Sequence, residues 1–153
     1  MAKILVIGSN APSGANFCAH ALKNGFEVIA TSRSPETNPL FLAYKWREFK
    51  GIIFEQIDLN HDIGLLKTLI RRHRPRYILN FASQGMVAES WKNPSDWMQT
   101  NVVANSDLLE LLRNVDFLER YIHFSTPEVY GSTNNWVSEH RKFTPSTPYA
   151  VSR

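Results

Sequence analysis

Gly8 and Gly14 bracket the stretch Gly8-Ser9-Asn10-Ala11-Pro12-Ser13-Gly14, which directly follows the apolar run Lys3-Ile4-Leu5-Val6-Ile7. Glycines spaced this way let a chain turn tightly off a strand, bring its amides to a pyrophosphate and press the next helix onto the strand. Ala11 takes the central glycine position, and Pro12 removes one amide donor from the loop. Gly8, Asn10, Ala11 and Gly14 are therefore candidate contacts to a dinucleotide; a plain strand–helix turn is the competing reading. Further along, Ser32, Arg33 and Ser34 stand where an acid usually receives the ribose 2′-hydroxyl of NAD, and the first acid in this chain is Glu36. Two hydroxyls around a guanidinium fork suit a 2′-phosphate, so Ser32 and Arg33 favour NADP over NAD. Asp58-Leu59-Asn60 can meet the adenine or cap the helix that follows.

These residues need a frame, and the apolar pattern supplies one. Short apolar runs at residues 3–7, 27–31, 52–57, 77–81 and 121–124 read as strands. Helices are expected over 15–24, stopped by Gly25, and over 40–49, 63–73 and 94–115. The helix at 40–49 carries an aromatic face of Phe41, Tyr44 and Phe49, read as packing, and Leu108, Leu109, Leu111 and Leu112 mark the inner side of the last one. Residues 34–39 and 126–148 read as irregular, with a helix opening at Tyr149. The β-α alternation predicts an α/β fold, a Rossmann-type doubly wound parallel sheet of order 3-2-1-4-5. Such sheets bind ligands beyond the carboxyl ends of their strands, so the segments after Ile7, Thr31, Ile57, Phe81 and Ser125 are those to read for function.

Near the fifth strand lies His123-Phe124-Ser125-Thr126-Pro127-Glu128-Val129-Tyr130-Gly131, followed by Pro145-Ser146-Thr147-Pro148-Tyr149-Ala150-Val151-Ser152-Arg153. Together these resemble the extended short-chain dehydrogenase/reductase family in its NAD-dependent epimerase/dehydratase branch, whose pattern is Ser-Thr-x-Glu-Val-Tyr-Gly and then Pro-x-x-x-Tyr-x-x-x-Lys. Phe81-Ala82-Ser83-Gln84 and Thr100-Asn101-Val102 resemble further segments of that family, and the likeness runs the whole chain. It implies NAD(P) as cofactor, with Phe81, Ala82, Ser83 and Asn101 joining the cofactor contacts, and a nucleotide sugar as substrate. Oxidation of a sugar hydroxyl requires loss of its proton, and a phenol of pKa about 10 serves as base only beside a cation. Tyr149 takes that part, with Thr126 bonded to the reacting oxygen. Arg153 stands at the family's lysine and keeps the charge on a wider, planar group.

Glu128 points within that branch to the 4,6-dehydratases, where a carboxylate removes the C5 proton while water leaves C6. The resemblance also implies an aspartate before the glutamate in glucose-type dehydratases; here it is Pro127, whereas mannose-type dehydratases and glucuronate decarboxylases do without it. An epimerase, decarboxylase or reductase on the same scaffold, and a non-catalytic dinucleotide-binding protein, stay open as alternatives. Family members continue for about another domain's length, so residues 1–153 are expected to be an NAD(P)-binding domain cut before its substrate lobe, inert alone and prone to self-association.

The composition fits this frame. At 153 residues, 43% of them hydrophobic and 20% charged, the chain has the size and balance of one globular domain. Its one cysteine, Cys18, excludes an internal disulfide and suits the cytoplasm. No apolar run approaches the roughly 20 residues of a membrane span, and with a strand at the start no signal peptide is expected. The net charge of +3 comes from scattered basic residues, against nucleic-acid binding. The one dense run, residues 71–74, falls at a helix end, where cations offset the dipole. No metal site is expected.

Overall fold

The computed structural model describes residues 1–139 and 142–153. Five strands, β1 (Lys3–Ile7), β2 (Glu27–Ser32), β3 (Ile52–Gln56), β4 (Tyr77–Asn80) and β5 (Arg120–His123), form one sheet in the order β3-β2-β1-β4-β5, all parallel. This is the predicted Rossmann-like order. Chain reversal between β1's two neighbours leaves the carboxyl end of β1 as the switch point. The central strands are apolar on both faces, as expected of strands covered on both sides: Leu5, Val6, Val28, Ala30 and Ile78 are buried. At one edge, β3 alternates, with Ile53 41% exposed.

The chain forms two compact units, one of residues Met1–Ala82 and Asp107–Phe124 and the other of Ser83–Ser106 and Ser125–Arg153. The first holds the sheet, α1 (Pro12–Lys23) and α2 (Ile63–His73). Ile4, Val6, Ala15, Cys18, Ala21, Val28, Leu42, Tyr44 and Leu79 share its core. Burial pushes the Cys18 thiol up to about 12, so it stays protonated and inert. Helix α2 ends with Arg71, Arg72 and His73 in its last turn, as the dipole favours, and Arg74 closes it at φ 49°. The second unit holds α3 (Val87–Ser90), α4 (Pro94–Met98) and α6 (Pro148–Val151), and α5 (Ala104–Leu112) begins in it.

Three expected elements differ. Residues 40–49 are not a helix but two short 3-10 turns, Pro39–Phe41 and Ala43–Lys45. Leu42 between them is extended (φ −107°, ψ 93°), because burying Leu42 and Tyr44 while Phe41 stays 68% exposed suits no single helical face. The helix expected over 94–115 ends at Leu112 and contains a π segment, Gln99–Val103, between α4 and α5. Leu108 and Leu112 are buried as expected, whereas Leu109 is 51% exposed. The stretch expected to be irregular includes a 3-10 turn at Pro127–Tyr130; His140 and Arg141 lie outside the described residues.

Gly14 and Gly64 should respond oppositely to alanine. A Cβ at Gly14 falls 2.3 Å from the Gly8 carbonyl oxygen, whereas one at Gly64 meets nothing within 4 Å. Gly14→Ala should cost about 1–3 kcal/mol of stability, and Gly64→Ala should add about 0.4–1 kcal/mol. Urea denaturation of the two variants measures both.

Candidate functional site

The turn after β1 is built by backbone crowding. Gly8 adopts φ +87°, and a Cβ there would fall 2.6 Å from the Ala82 amide nitrogen and 2.9 Å from the Phe81 carbonyl carbon. Only glycine supplies that φ without strain and lets the Phe81–Ala82 peptide come so close. The Gly8 and Ser9 amides both donate to the Thr31 carbonyl, at 2.8 and 3.0 Å, which ties the turn to the end of β2. Ala11 needs no glycine: it is extended at φ −71°, ψ 145°, and caps α1 ahead of Pro12. The first intrahelical bond runs from the Ala15 amide to the Ala11 carbonyl at 2.8 Å. The Ser13 and Gly14 amides precede it, and donors so placed at a helix start are the usual seat of a phosphate.

Asn10 closes this turn against the loop after β2. Its amide nitrogen Nδ2 donates to the Ser34 carbonyl at 3.3 Å, the Ser34 hydroxyl at 3.2 Å and the Pro35 carbonyl at 2.8 Å. Its backbone amide donates to the Ser32 hydroxyl at 3.3 Å. The Ser32 and Ser34 hydroxyl oxygens thus accept from Asn10 and fasten this loop to the glycine turn. The Asn10 Oδ1 is buried with no hydrogen-bond partner among the described residues, an acceptor suited to a ligand hydroxyl. Arg33 is exposed, its carbonyl held by Gln56 Nε2 at 3.0 Å. After β3, the Asp58 carboxylate accepts from the Asn60 amide and Asp62 accepts from the Asp58 amide, both at 2.9 Å, while Leu59 is buried.

At the end of β4, Phe81 stacks on Phe124 with centroids 4.0 Å apart and touches Phe17 at 5.9 Å, so its ring belongs to the packing. Asn80, fully buried, accepts the Ala82 amide at 2.9 Å and shapes the turn that faces Gly8. Asn10, Ser32, Arg33, Phe81, Ala82 and the glycines are gathered in the first unit with Asp58 and Leu59.

The second unit gathers Ser83, Asn101, Thr126, Glu128, Tyr149 and Arg153. Thr126 caps the Pro127–Tyr130 turn, its hydroxyl accepting the Glu128 amide at 3.4 Å, and Glu128 is half-buried in the first turn. Tyr149 begins α6, capped by the Thr147 hydroxyl, which accepts from Ala150 at 3.0 Å. One turn later, the Arg153 guanidinium stands 6.0 Å from the centre of the Tyr149 ring. A helix of four residues has little stability of its own, and side chains distant in sequence hold it. The Ser90 hydroxyl accepts the Tyr149 amide at 3.2 Å and donates to the Val87 carbonyl at 2.6 Å. Asn101, buried in the π segment, donates through Nδ2 to the Ser152 hydroxyl at 2.9 Å and the Gln84 carbonyl at 3.0 Å. Its Oδ1 accepts the Gln84 amide at 2.7 Å. The Ser152 hydroxyl donates to the Tyr149 carbonyl at 2.7 Å.

Comparison with known proteins decides the lineage. The family model described as GDP-mannose 4,6 dehydratase matches residues 5–153. The chain belongs to the GDP-mannose 4,6 dehydratase family. Among curated relatives, a dTDP-glucose 4,6-dehydratase of Xanthomonas campestris pv. campestris (strain B100) is 33% identical over 98% of this chain and 44% of its own length. Among solved structures, the UDP-Glc/GlcNAc 4-epimerase of Campylobacter jejuni superposes with a TM-score of 0.85 at 27% identity, covering 99% of this chain and 46% of that one. A UDP-glucose-4-epimerase of Stenotrophomonas maltophila gives 0.87 at 22% identity, covering 99% and 45%, and speaks for the fold alone. This member of the dehydratase family thus spans under half the length of the relatives it matches. Among its described residues no helix is long and apolar enough to cross a membrane.

In this dehydratase-family chain, Ser90, Ser152 and Asn80 are structural parts of the site that sequence reasoning missed. The only available signal was a polar residue in an otherwise apolar segment, which Asn80 gives and Ser90 does not. Asn101→Ala removes the amide that serves both Gln84 and Ser152. It should lower stability by on the order of 2–3 kcal/mol and speed exchange of the Ala150, Val151 and Ser152 amides at least tenfold. Ser152→Ala should do less than half as much. Hydrogen-exchange mass spectrometry of the C-terminal peptide reads both.

Proposed function

We propose that residues 1–153 are the NAD(P)-binding Rossmann domain of a cytoplasmic, self-associating nucleotide-sugar 4,6-dehydratase that prefers NADP. The observation that carries the reading is the joint presence, in one unit, of the turn bearing Thr126 and Glu128 and the pinned helix bearing Tyr149 and Arg153. The relatives named as dehydratases support the reaction class. The cofactor reading has its own support: the Gly8 and Gly14 contacts leave room for backbone only, the Ser13 and Gly14 amides open a helix, and Asn10 keeps a buried acceptor. Those residues would hold the pyrophosphate and a ribose, and Arg33 with Ser32 the 2′-phosphate.

Bound there, the nicotinamide would supply reversible hydride acceptance. The chain's own residues handle protons. Tyr149 takes the proton of the sugar C4 hydroxyl, with the Arg153 guanidinium 6.0 Å from the centre of its ring. Thr126 donates to the same oxygen. The C4 ketone acidifies C5; Glu128 removes the C5 proton and passes it to the C6 hydroxyl, which departs as water, and the hydride lost from C4 would return to C6 as C5 regains a proton. Pro127 offers no proton to that leaving group, which favours a second reading, a nucleotide-sugar epimerase, decarboxylase or reductase on the same scaffold.

Calorimetry should find NADP bound more tightly than NAD. Arg33→Ala should weaken NADP by about 10–100-fold, the 1.5–3 kcal/mol of a charge-assisted hydrogen bond, and leave NAD nearly unchanged. Equal NADP affinity in both proteins removes Arg33 from the site. In a full-length protein carrying these residues, Tyr149→Phe should abolish turnover of dTDP-glucose or GDP-mannose. Glu128→Gln should lower formation of the 4-keto-6-deoxy product by about 10²–10⁴-fold together with solvent-deuterium uptake at C5. Normal turnover by Glu128→Gln would pass the assignment to the second reading.

A further inference from the structure

Glu36 is the acid nearest after Arg33 in sequence, and the structure gives it two partners. Its Oε1 accepts from the Tyr44 hydroxyl at 2.9 Å, and its Oε2 pairs with Lys45 Nζ at 2.9 Å. Tyr44 is 2% exposed and packs in the core beside Leu42 and Cys18, so the carboxylate is fastened to a rigid anchor. Burial raises the Tyr44 pKa, and the hydrogen bond and charge of Glu36 raise it further against a smaller opposing effect of the Ser9 hydroxyl. The phenol therefore remains a donor. On the other side, Asn10 fixes the Ser34 and Pro35 backbone through its three hydrogen bonds. The loop from Ser32 to Glu36 is thus held at both ends, by the glycine turn and by the two 3-10 turns that replace the expected helix.

An acid selects NAD when it turns a free oxygen to the ribose 2′-hydroxyl and repels a 2′-phosphate. Here both oxygens are engaged and the charge is offset by an ammonium. We propose that Lys45 is a specificity-determining residue, which with Tyr44 draws off and neutralises Glu36 so that the loop bearing Arg33 accepts a 2′-phosphate. This rests on the dinucleotide reading above. The Glu36 and Lys45 side chains are 27% and 40% exposed, so the effect is screened and moderate.

The test is calorimetry of NADP and of NAD with the whole chain, at low and at high salt. Lys45→Met should lower the ratio of NADP to NAD affinity by roughly 3–10-fold. Lys45→Arg, which keeps the charge, should stay near the wild-type ratio. Glu36→Gln should raise the ratio, and Lys45→Met combined with Glu36→Gln should return it to near the wild-type value. High salt should shrink every difference. An unchanged ratio in Lys45→Met, or equal losses for both cofactors, overturns the proposal and leaves Lys45 a structural role. Wild-type protein that binds neither cofactor overturns the dinucleotide reading itself, and this inference with it.

Discussion

Three stretches of backbone meet at the carboxyl end of β1, and the geometry of this edge of the sheet follows from how closely they approach. The Gly8 carbonyl lies where a Gly14 side chain would begin, the Phe81–Ala82 peptide lies where a Gly8 side chain would begin, and the Thr31 carbonyl takes the Gly8 and Ser9 amides together. Side chains are excluded from the junction, so helix α1 starts against the strand and its first amides open onto the switch point. Neither contact tolerates a methyl group without moving backbone. Ala11, one turn residue away, has an ordinary extended conformation and so departs from the glycine pattern without penalty. The spacing of glycines therefore matters here only at the two positions where atoms collide.

Each unit then uses an asparagine to hold irregular chain in place. Asn10 bonds two carbonyls and a hydroxyl of the loop after β2; Asn101 bonds a carbonyl, an amide and the Ser152 hydroxyl. A carboxamide carries donors and an acceptor on one short stem, so it can serve backbone groups of both kinds, which a serine does less fully. The π segment around Asn101 is consistent with this: a helix that widens by one residue can turn a side chain toward a neighbouring segment that a regular helix would miss. Functional loops are commonly the weakest parts of a fold. Here they are tied by side chains whose partners lie 17 to 51 residues away.

The sheet was legible because its strands are short continuous apolar runs, and buried parallel strands need little else. The glycine turn and the motifs at Thr126 and Tyr149 were legible because they are local in sequence. Residues 40–49 were not. Phe41, Tyr44 and Phe49 recur at near-helical intervals, yet the Glu36 carboxylate reaches both Tyr44 and Lys45 from outside the segment, and Leu42 turns extended to bury its side chain. Periodicity does not record a partner eight residues upstream. The same holds for Ser90 and Ser152. Each looks like an ordinary polar residue in or just after a short helix, and its importance appears only when the Tyr149 amide reaches Ser90 and the Asn101 side chain reaches Ser152.

The departure at Arg153 bears on how a Tyr149 base would work under the dehydratase reading. An ammonium can be a compact donor to a phenolate or to the hydroxyls around it, and it can in principle exchange a proton. A guanidinium stays charged throughout any accessible pH and spreads that charge over a plane. In this chain its centre stands 6.0 Å from the middle of the Tyr149 ring, a distance at the outer limit of cation–π attraction. A guanidinium so placed offers a fixed, diffuse positive charge and no route by which a proton can leave. A proton taken by Tyr149 must return along the path it came, to the sugar oxygen, or pass to solvent. In a 4,6-dehydration C4 stays a ketone and the hydride taken from it goes to C6, so the proton taken by Tyr149 does not return to the sugar oxygen and must pass to solvent before the next turnover.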